Sequence, residues 1–415
     1  MVSRLDFMKS IKKLPAPTRE EQQFHRVGLD CAKQSIDNAV QNNILIEHDA
    51  TLIEDFTMEL RAAKEISIIR VMKITTTLVS WRRYLKTPFA ESTINDLYRG
   101  IEAMKAARPH GKPYKQNTRR DFILILKQFY RWLISNRHST IPNTKINEII
   151  APRSDSMTKT VEQLLTPQEV EAMITVCLNS RDRAMIAVLY EGGFRAKEIG
   201  VMSWNQIAFD EHGVKINVNL KTEKPRYIRL VAATQYLLAW RNDYPFDPSG
   251  EALVFLSRQN KPLKYATMLA HCRKIAVRAG IQKRFTPHLL RHSRITHLIQ
   301  NGYSEVIIKK MMWGDINTTM FKTYVHLCDT DTDNEIFKQE GIISREESDC
   351  DAMALRQCHN CLAINAPTAT FCMTCGQPLF EETRISLEAI MRDIEQTQEF
   401  KTIQSIVQQG IAQLV

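Results

Sequence analysis

Leu189-Tyr-Glu-Gly-Gly-Phe-Arg-Ala-Lys-Glu-Ile199 is the stretch on which the reading of this chain turns. The apolar run from Arg181 to Glu191 has helical spacing, and Gly192-Gly193 stops it. Arg195 then stands just past the glycine break, at the start of a new helix, with Glu198 three residues on. Further along, Val214, Ile216, Val218 and Leu220 alternate with Lys215, Asn217, Asn219 and Lys221, the pattern of a half-buried strand. Thr222 to Pro225 turn the chain, and Tyr227 to Val231 return as a second strand. From there to about Phe337 the spacing is mostly helical again. The fold class expected is mainly α, with a small antiparallel sheet inside a helical domain.

Upstream, Leu165-Thr-Pro-Gln-Glu-Val opens this domain: Thr166 is placed to cap a helix, Pro167 suits its first turn, and Glu169 completes a capping box. The polar stretch Ala151-Pro-Arg-Ser-Asp-Ser-Met-Thr-Lys-Thr160 reads as a linker between domains. Before it, three apolar-periodic stretches between Ile53 and about Ile150 carry no strand alternation and predict a small all-helical domain. Basic residues sit among its aromatics: Lys73, Arg82, Arg83, Lys115, Arg119, Arg120, Lys127 and Arg131. The expected division is a polar N-terminal extension over 1–50, a helical domain over 51–150, a linker over 151–163 and the main domain over 164–340. A cysteine-bearing module over 355–380 and an amphipathic C-terminal helix over 383–415 complete it.

Composition narrows the function. The chain of 415 residues carries a net charge of +10, which points to a polyanionic partner, because Lys and Arg displace counterions from a phosphate backbone. No apolar run approaches the roughly 20 residues needed to span a bilayer, and the N-terminus lacks the continuous apolar stretch of a signal peptide. A cytoplasmic protein with no membrane partner is expected, in a compartment where disulfides are rare. Of the nine cysteines, Cys31, Cys177, Cys272, Cys328 and Cys350 are scattered and read as small apolar residues.

Two further segments bring chemistry. Thr286-Pro-His-Leu-Leu-Arg-His292 puts His288 and Arg291 three apart on one helix face, and Tyr324 follows in Met320-Phe-Lys-Thr-Tyr-Val-His-Leu327. Arg195 with Glu198, the hairpin Lys221, the HxxR pair His288 and Arg291, and a C-terminal Tyr324 occur in that order. In this the chain resembles the catalytic domain of the tyrosine recombinase (phage integrase) family, over about 160 to 340. The helical segment before it resembles that family's core-binding, SAM-like DNA-binding domain more loosely. The Tyr-Val-His-Leu ending and the cysteine tail look like archaeal members.

The resemblance implies a site-specific recombinase acting on double-stranded DNA. Tyr324 would attack phosphorus and form a 3′-phosphotyrosyl link that conserves bond energy. Arg195 and Arg291 would hold the phosphate charge with fixed guanidinium hydrogen bonds, and Lys221 would protonate the leaving 5′ oxygen. His288 would take the tyrosine proton or hydrogen-bond the phosphate, and Glu198 would orient Arg195 or form a structural ion pair. Members usually carry Gly-His about nine residues before the tyrosine. Here Met312-Trp-Gly-Asp315 stands in that region, nine back from Tyr324 is Asp315, and Trp313 is the favoured equivalent, its indole N–H able to donate to phosphate. His292, His297 and His326 read as packed or solvated. The family implies a homo-tetrameric synapse on DNA, a Holliday junction and no cofactor for catalysis. The rival readings are a type IB topoisomerase and a non-catalytic DNA-binding adaptor.

Cys358-His-Asn-Cys361 and Cys372-Met-Thr-Cys375 are two CxxC knuckles ten residues apart. Four thiolates at this spacing suit a closed, structural tetrahedral Zn²⁺ site, and so small a module would draw its folding energy from the metal. Beyond it, Leu387, Ile390, Met391 and Ile394 mark an amphipathic stripe suited to packing on another protomer or on the protein's own ribbon.

Overall fold

The computed structural model describes residues 16–18, 24–25, 28–155, 160–218, 225–325, 355–361, 363–400 and 402–403. The chain divides into two compact units, His25–Thr158 and a second made of Met1–Phe24 with Lys159–Val415.

The first unit is helical: α1 (Leu29–Gln41), α2 (Glu47–Lys64), α3 (Ile68–Trp81), α4 (Ile94–Ala106), α5 (Gln116–Ser135) and the short α6 (Asn143–Glu148). Trp81, Phe56, Phe89, Phe129 and Tyr130 fill its centre and are almost wholly buried. Side chains of this size dominate the apolar area removed from water, and so the stability of a small helical unit. Asp49, fully buried beneath them, accepts a hydrogen bond from the Phe89 amide (2.9 Å) and pairs with Arg82 Nε at 3.2 Å. Several of the basic residues noted in the sequence make contacts within the unit. Lys73 pairs with Asp121, Lys127 donates to the Asn147 carbonyl, and Arg120 donates to the Pro152 carbonyl. Lys73, Arg83, Lys115 and Arg131 are exposed.

The boundary expected at residue 50 lies elsewhere. α1 belongs to the helical unit, burying Ala32, Ile36 and Ala39. Two of these are alanines, which give a weak hydrophobic signal while still allowing close helix packing. Residues before it join the second unit instead. Thr18 bridges Ala252, the Leu253 amide donates to the Pro17 carbonyl (2.9 Å), and Phe24 is buried edge-on against Tyr265. The described residues of the 1–50 stretch are therefore shared between the two units.

In the second unit the Thr166–Glu169 capping box forms as expected: the Glu169 amide donates to Thr166 Oγ1 (3.2 Å) and the Thr166 amide to Glu169 Oε2 (2.8 Å). It opens α7 (Pro167–Thr175), followed by α8 (Ser180–Glu191) and the short α9 (Ala196–Gly200). The sheet is an antiparallel meander of β1 (Ile207–Asp210), β2 (Gly213–Val218) and β3 (Arg226–Leu230). Val214 faces Leu230 and Ile216 faces Ile228, all buried, so the alternation seen in the sequence is the buried face of the sheet. β1, which was not expected, extends it by a third strand. α10 (Thr234–Asp243), α11 (Tyr265–Arg278), α12 (Pro287–Gln300), α13 (Glu305–Trp313) and α14 (Lys322–Val325) complete the core. Glu191 ties α8 to α10, its carboxylate accepting from the amides of Val231 (2.8 Å), Ala232 (3.0 Å) and Ala233 at the helix start. Among the described residues no helix is long and apolar enough to cross a membrane.

Candidate active site and cysteine cluster

α12 is the platform of the site. Pro287 pre-sets its first turn, and His288, Arg291 and His292 follow at i, i+3 and i+4, so the three share one face. Arg291 is 4 % exposed, and its guanidinium is held by two main-chain carbonyls. One N–H donates to Gly193 and another to Met312 at 2.7 Å. The Gly192-Gly193 break explains the first contact. Gly193 has φ +56°, and an added Cβ would lie 2.5 Å from Met312 Sδ, so a side chain there would collide with the residue that supplies the second carbonyl.

Arg195 sits at the N-terminus of α9. Its amide donates to Glu198 Oε2 (2.7 Å) and its guanidinium to Glu198 Oε1 (3.1 Å). Glu198 also binds Arg226 from β3 at 2.7 and 2.9 Å, with both side chains almost fully buried. Burial opposes the charge on Glu198, but Arg226 and the Arg195 amide outweigh it and hold the carboxyl below its ordinary range. Arg226 Nε donates to the Met311 carbonyl (2.9 Å), which links the sheet to α13. Glu198 thus combines the two roles read for it: it orients Arg195, and it forms a structural ion pair.

Tyr324, on α14, is 4 % exposed and is brought to the same place. Its hydroxyl lies 2.8 Å from Nδ1 of His292, and its ring is 6.0 Å from that of Trp313. The Arg291 guanidinium stands over the Trp313 ring at 5.4 Å. The indole, rather than Asp315, is therefore the side chain that α13 delivers to the tyrosine. Gly314, with φ +68°, ends that helix, and Asp315 accepts from the Asn317 amide (3.1 Å) in the following turn. Burial pushes the Tyr324 phenol up, against the pull of Arg291 and Arg195. Burial lowers Arg291 to about 10, with help from the charge of Arg195, and leaves it protonated at neutral pH. Desolvation and then the charges of Arg291 and Arg195 lower His288 and favour its neutral form. Lys221 and His326 lie outside the described residues.

Five of the six candidate residues, Arg195, His288, Arg291, Trp313 and Tyr324, are thus interlinked by contact or by charge. The sequence reading passed over His292, which stands against the tyrosine hydroxyl, and gave Arg226 no part in the site. The i+4 offset of His292 from His288 was the available signal for the first. His297 is buried, and its Nδ1 hydrogen-bonds Tyr190 at 2.8 Å, a packed role as expected.

The four knuckle cysteines converge as well. Their Sγ atoms all lie within 4.8 Å of one another, with Cys358–Cys375 and Cys361–Cys372 each at 3.5 Å. Tetrahedral Zn–S bonds of about 2.3 Å place sulfurs about 3.8 Å apart, so the donor set fits that ion. The Asn360 amide points at Cys358 Sγ (3.4 Å), and β4 (Arg356–Gln357) pairs with β5 (Ile364–Asn365) to frame the first knuckle. The module packs on α10. Gln235 donates to the Ile364 carbonyl (3.0 Å) and accepts from the Ala366 amide (3.1 Å), and Tyr236 hydrogen-bonds Thr368. After it, α15 (Glu381–Gln396) leaves Ile385, Leu387, Ile390, Met391 and Ile394 exposed.

With this geometry in place, comparison with known proteins is specific. Residues 163–330 match the phage integrase family model. Over 189 residues the chain is 34 % identical to transposase A from transposon Tn554 of Staphylococcus aureus, an alignment covering 42 % of this chain and 51 % of that protein. It is 26 % identical over 226 residues to tyrosine recombinase XerD of Pseudomonas putida, covering 51 % and 72 %. The chain thus spans about half the length of the first curated relatives it matches. Among solved structures it shares its fold with the XerH site-specific recombinase bound to palindromic difH substrate in a post-cleavage complex, with TM-score 0.51 and 15 % identity over 79 % of this chain and all of that one. Lambda integrase (residues 75–356) bound to DNA gives TM-score 0.51 and 14 % identity, over 66 % and 96 %. The stretch that matches the phage integrase family model is the one that carries Arg195, His288, Arg291, Trp313 and Tyr324.

Proposed function

We propose that this protein is a site-specific DNA recombinase that cuts and rejoins duplex DNA through a 3′-phosphotyrosyl intermediate on Tyr324. The observation that carries the reading is the buried Tyr324, its hydroxyl against His292 of α12 and its ring against Trp313, over which the Arg291 guanidinium of the same α12 face stands. A phosphodiester resists attack because its nonbridging oxygens are negative, and more charge builds in the transition state. Arg291, pre-positioned by the Gly193 and Met312 carbonyls, and Arg195, pre-positioned by Glu198, meet that charge without reorganising. Trp313 adds an indole N–H donor, and Lys221 supplies the proton for the leaving 5′ oxygen. His288, largely neutral, hydrogen-bonds the phosphate.

Duplex DNA as substrate is supported by the net charge of +10 and by the DNA in the XerH and lambda integrase structures that share the fold. The helical unit adds DNA contacts of its own in this reading. Assembly as a homo-tetramer is supported by a lambda integrase tetramer bound to a Holliday junction, of the same fold at TM-score 0.51. A pool of nicked duplexes randomised around the nick tests the activity. Wild-type protein should enrich sequences that trap a covalent protein–DNA adduct surviving denaturant, and Tyr324→Phe should trap none. An adduct that persists in Tyr324→Phe contradicts the assignment.

The cysteine module is proposed to hold one structural Zn²⁺ through Cys358, Cys361, Cys372 and Cys375, remote from the chemistry. Purified protein should contain one zinc per chain, and Cys372→Ser should lose it. The thermal transition of the module should fall on chelation, because the ion supplies most of its folding free energy. Zinc retained at full stoichiometry in Cys372→Ser would remove that cysteine from the ligand set.

A further inference from the structure

Tyr324 can attack phosphorus only if its phenolic proton leaves, and its setting opposes that loss. Burial raises its pKa despite two neighbouring arginines. Arginine, always protonated, accepts no proton. A base must therefore touch the hydroxyl. Two imidazoles stand on the same face of α12, and their placements differ. His288, one residue into the helix, is exposed and makes no hydrogen bond to Tyr324 among the described residues. His292, one turn further in, is half-buried and has Nδ1 2.8 Å from Tyr324 Oη, with the rings 5.4 Å apart and inclined by 34°. The spacing along α12 makes the division of labour. Arg291 reaches the Gly193 and Met312 carbonyls, and the next residue is turned toward α14.

We infer that His292 is the group that holds the Tyr324 hydroxyl in place and takes its proton during strand cleavage, leaving His288 to the phosphate. This rests on the recombinase reading above. In the step, Tyr324 Oη bonds to phosphorus as the bond from phosphorus to the 5′ oxygen breaks. The phenolic proton passes to His292 Nδ1, and the departing 5′ oxygen takes a proton from Lys221. Nδ1 accepts only in the tautomer that carries its hydrogen on Nε2. In rejoining, the same proton returns to the leaving phenolate, so His292 serves both directions.

The test uses the duplex enriched by adduct trapping, full-length protein and single-turnover adduct formation. His292→Phe is expected to bind this duplex as wild type does and to form the adduct about 10²- to 10⁴-fold more slowly, the usual worth of a positioned acid–base group. The deficit should persist when the 5′ bridging oxygen is replaced by sulfur. A thiolate leaves without protonation, so this substrate rescues defects on the leaving-group side only. His292→Asn, whose amide overlays Nδ1, should retain more activity than His292→Gln, whose amide overlays Nε2. His292→Asn decides the matter even if His292→Phe folds poorly. Adduct formation within threefold of wild type in His292→Phe or His292→Asn, or rescue by the bridging sulfur, would overturn the inference. Wild-type protein that forms no Tyr324-dependent adduct would instead overturn the recombinase reading beneath it.

Discussion

Arg291→Ala is expected to abolish measurable adduct formation, with a rate loss of at least about 10³-fold, while binding of the same duplex weakens far less. Loss of a single pre-organised donor to developing charge costs about 10²- to 10³-fold in other enzymes. Arg291 does more than donate once. It is buried, charged and aimed by two carbonyls, Gly193 and Met312, which belong to segments far apart in the chain. Its removal leaves both acceptors without that partner and loosens the packing of α13, which carries Trp313. Arg291→Lys should be nearly as impaired. An ammonium keeps the charge but lacks the planar fork that meets two carbonyls and a phosphate together. Single-turnover cleavage alongside thermal unfolding separates the parts. A variant with wild-type melting and lost cleavage reports the phosphate role. A variant that cleaves within tenfold of wild type would show that the phosphate is held elsewhere.

The second large effect concerns stability. Glu198→Ala should destabilise the catalytic unit by about 3–5 kcal/mol, the usual result of removing one partner from a buried ion pair. Arg226 would be left charged, with its side chain 2 % exposed and its carboxylate gone. Cleavage should fall too, because Arg195 loses the acceptor that fixes its guanidinium. Glu198→Gln, which keeps shape and hydrogen-bonding atoms, should lose less of both. The pH dependence has a definite sign. The folded state lowers the Glu198 pKa below its ordinary value of 4.5, so this stabilisation is complete above that value. It is lost as pH falls through the lower, folded-state value. Equilibrium denaturation of wild type and Glu198→Ala at pH 7 and at acid pH measures both. A gap between them that does not narrow in acid would contradict the assignment.

Much of the fold was legible because its signals are local. The Thr166–Glu169 capping box, the alternation over Val214 to Val218 and the glycine stop after α8 each involve residues within one turn or strand of each other. What escaped was weak in composition or distant in sequence. α1 presents Ala32, Ile36 and Ala39, too small a stripe to stand out from a polar stretch. β1, only four residues long, takes its place from pairing with β2 rather than from its own pattern. Pro17, Thr18 and Phe24 are placed by contacts to residues 252 to 265, more than 200 positions away.

The site divides in the same way. Arg195, His288, Arg291 and Tyr324 were found from motif order, and Trp313 from its neighbourhood, although the usual spacing pointed to Asp315. The helix end at Gly314 supports the indole in that proposal, since it turns Asp315 into the following loop and leaves the indole against Tyr324. The pairing of Glu198 with Arg226 and of His292 with Tyr324 joins elements that only the folded chain brings together. No periodicity encodes such pairs.

The central claim is that Tyr324 is the atom-bearing nucleophile, and it is tested most directly by mapping the covalent bond. The trapped protein–DNA adduct, digested with nuclease and protease, should yield one nucleotide-bearing peptide in the mass spectrum. Its modification is expected on Tyr324, as a phosphodiester to a 3′ end. A nucleotide found on Tyr303, on another side chain, or attached through a 5′ phosphate would contradict it.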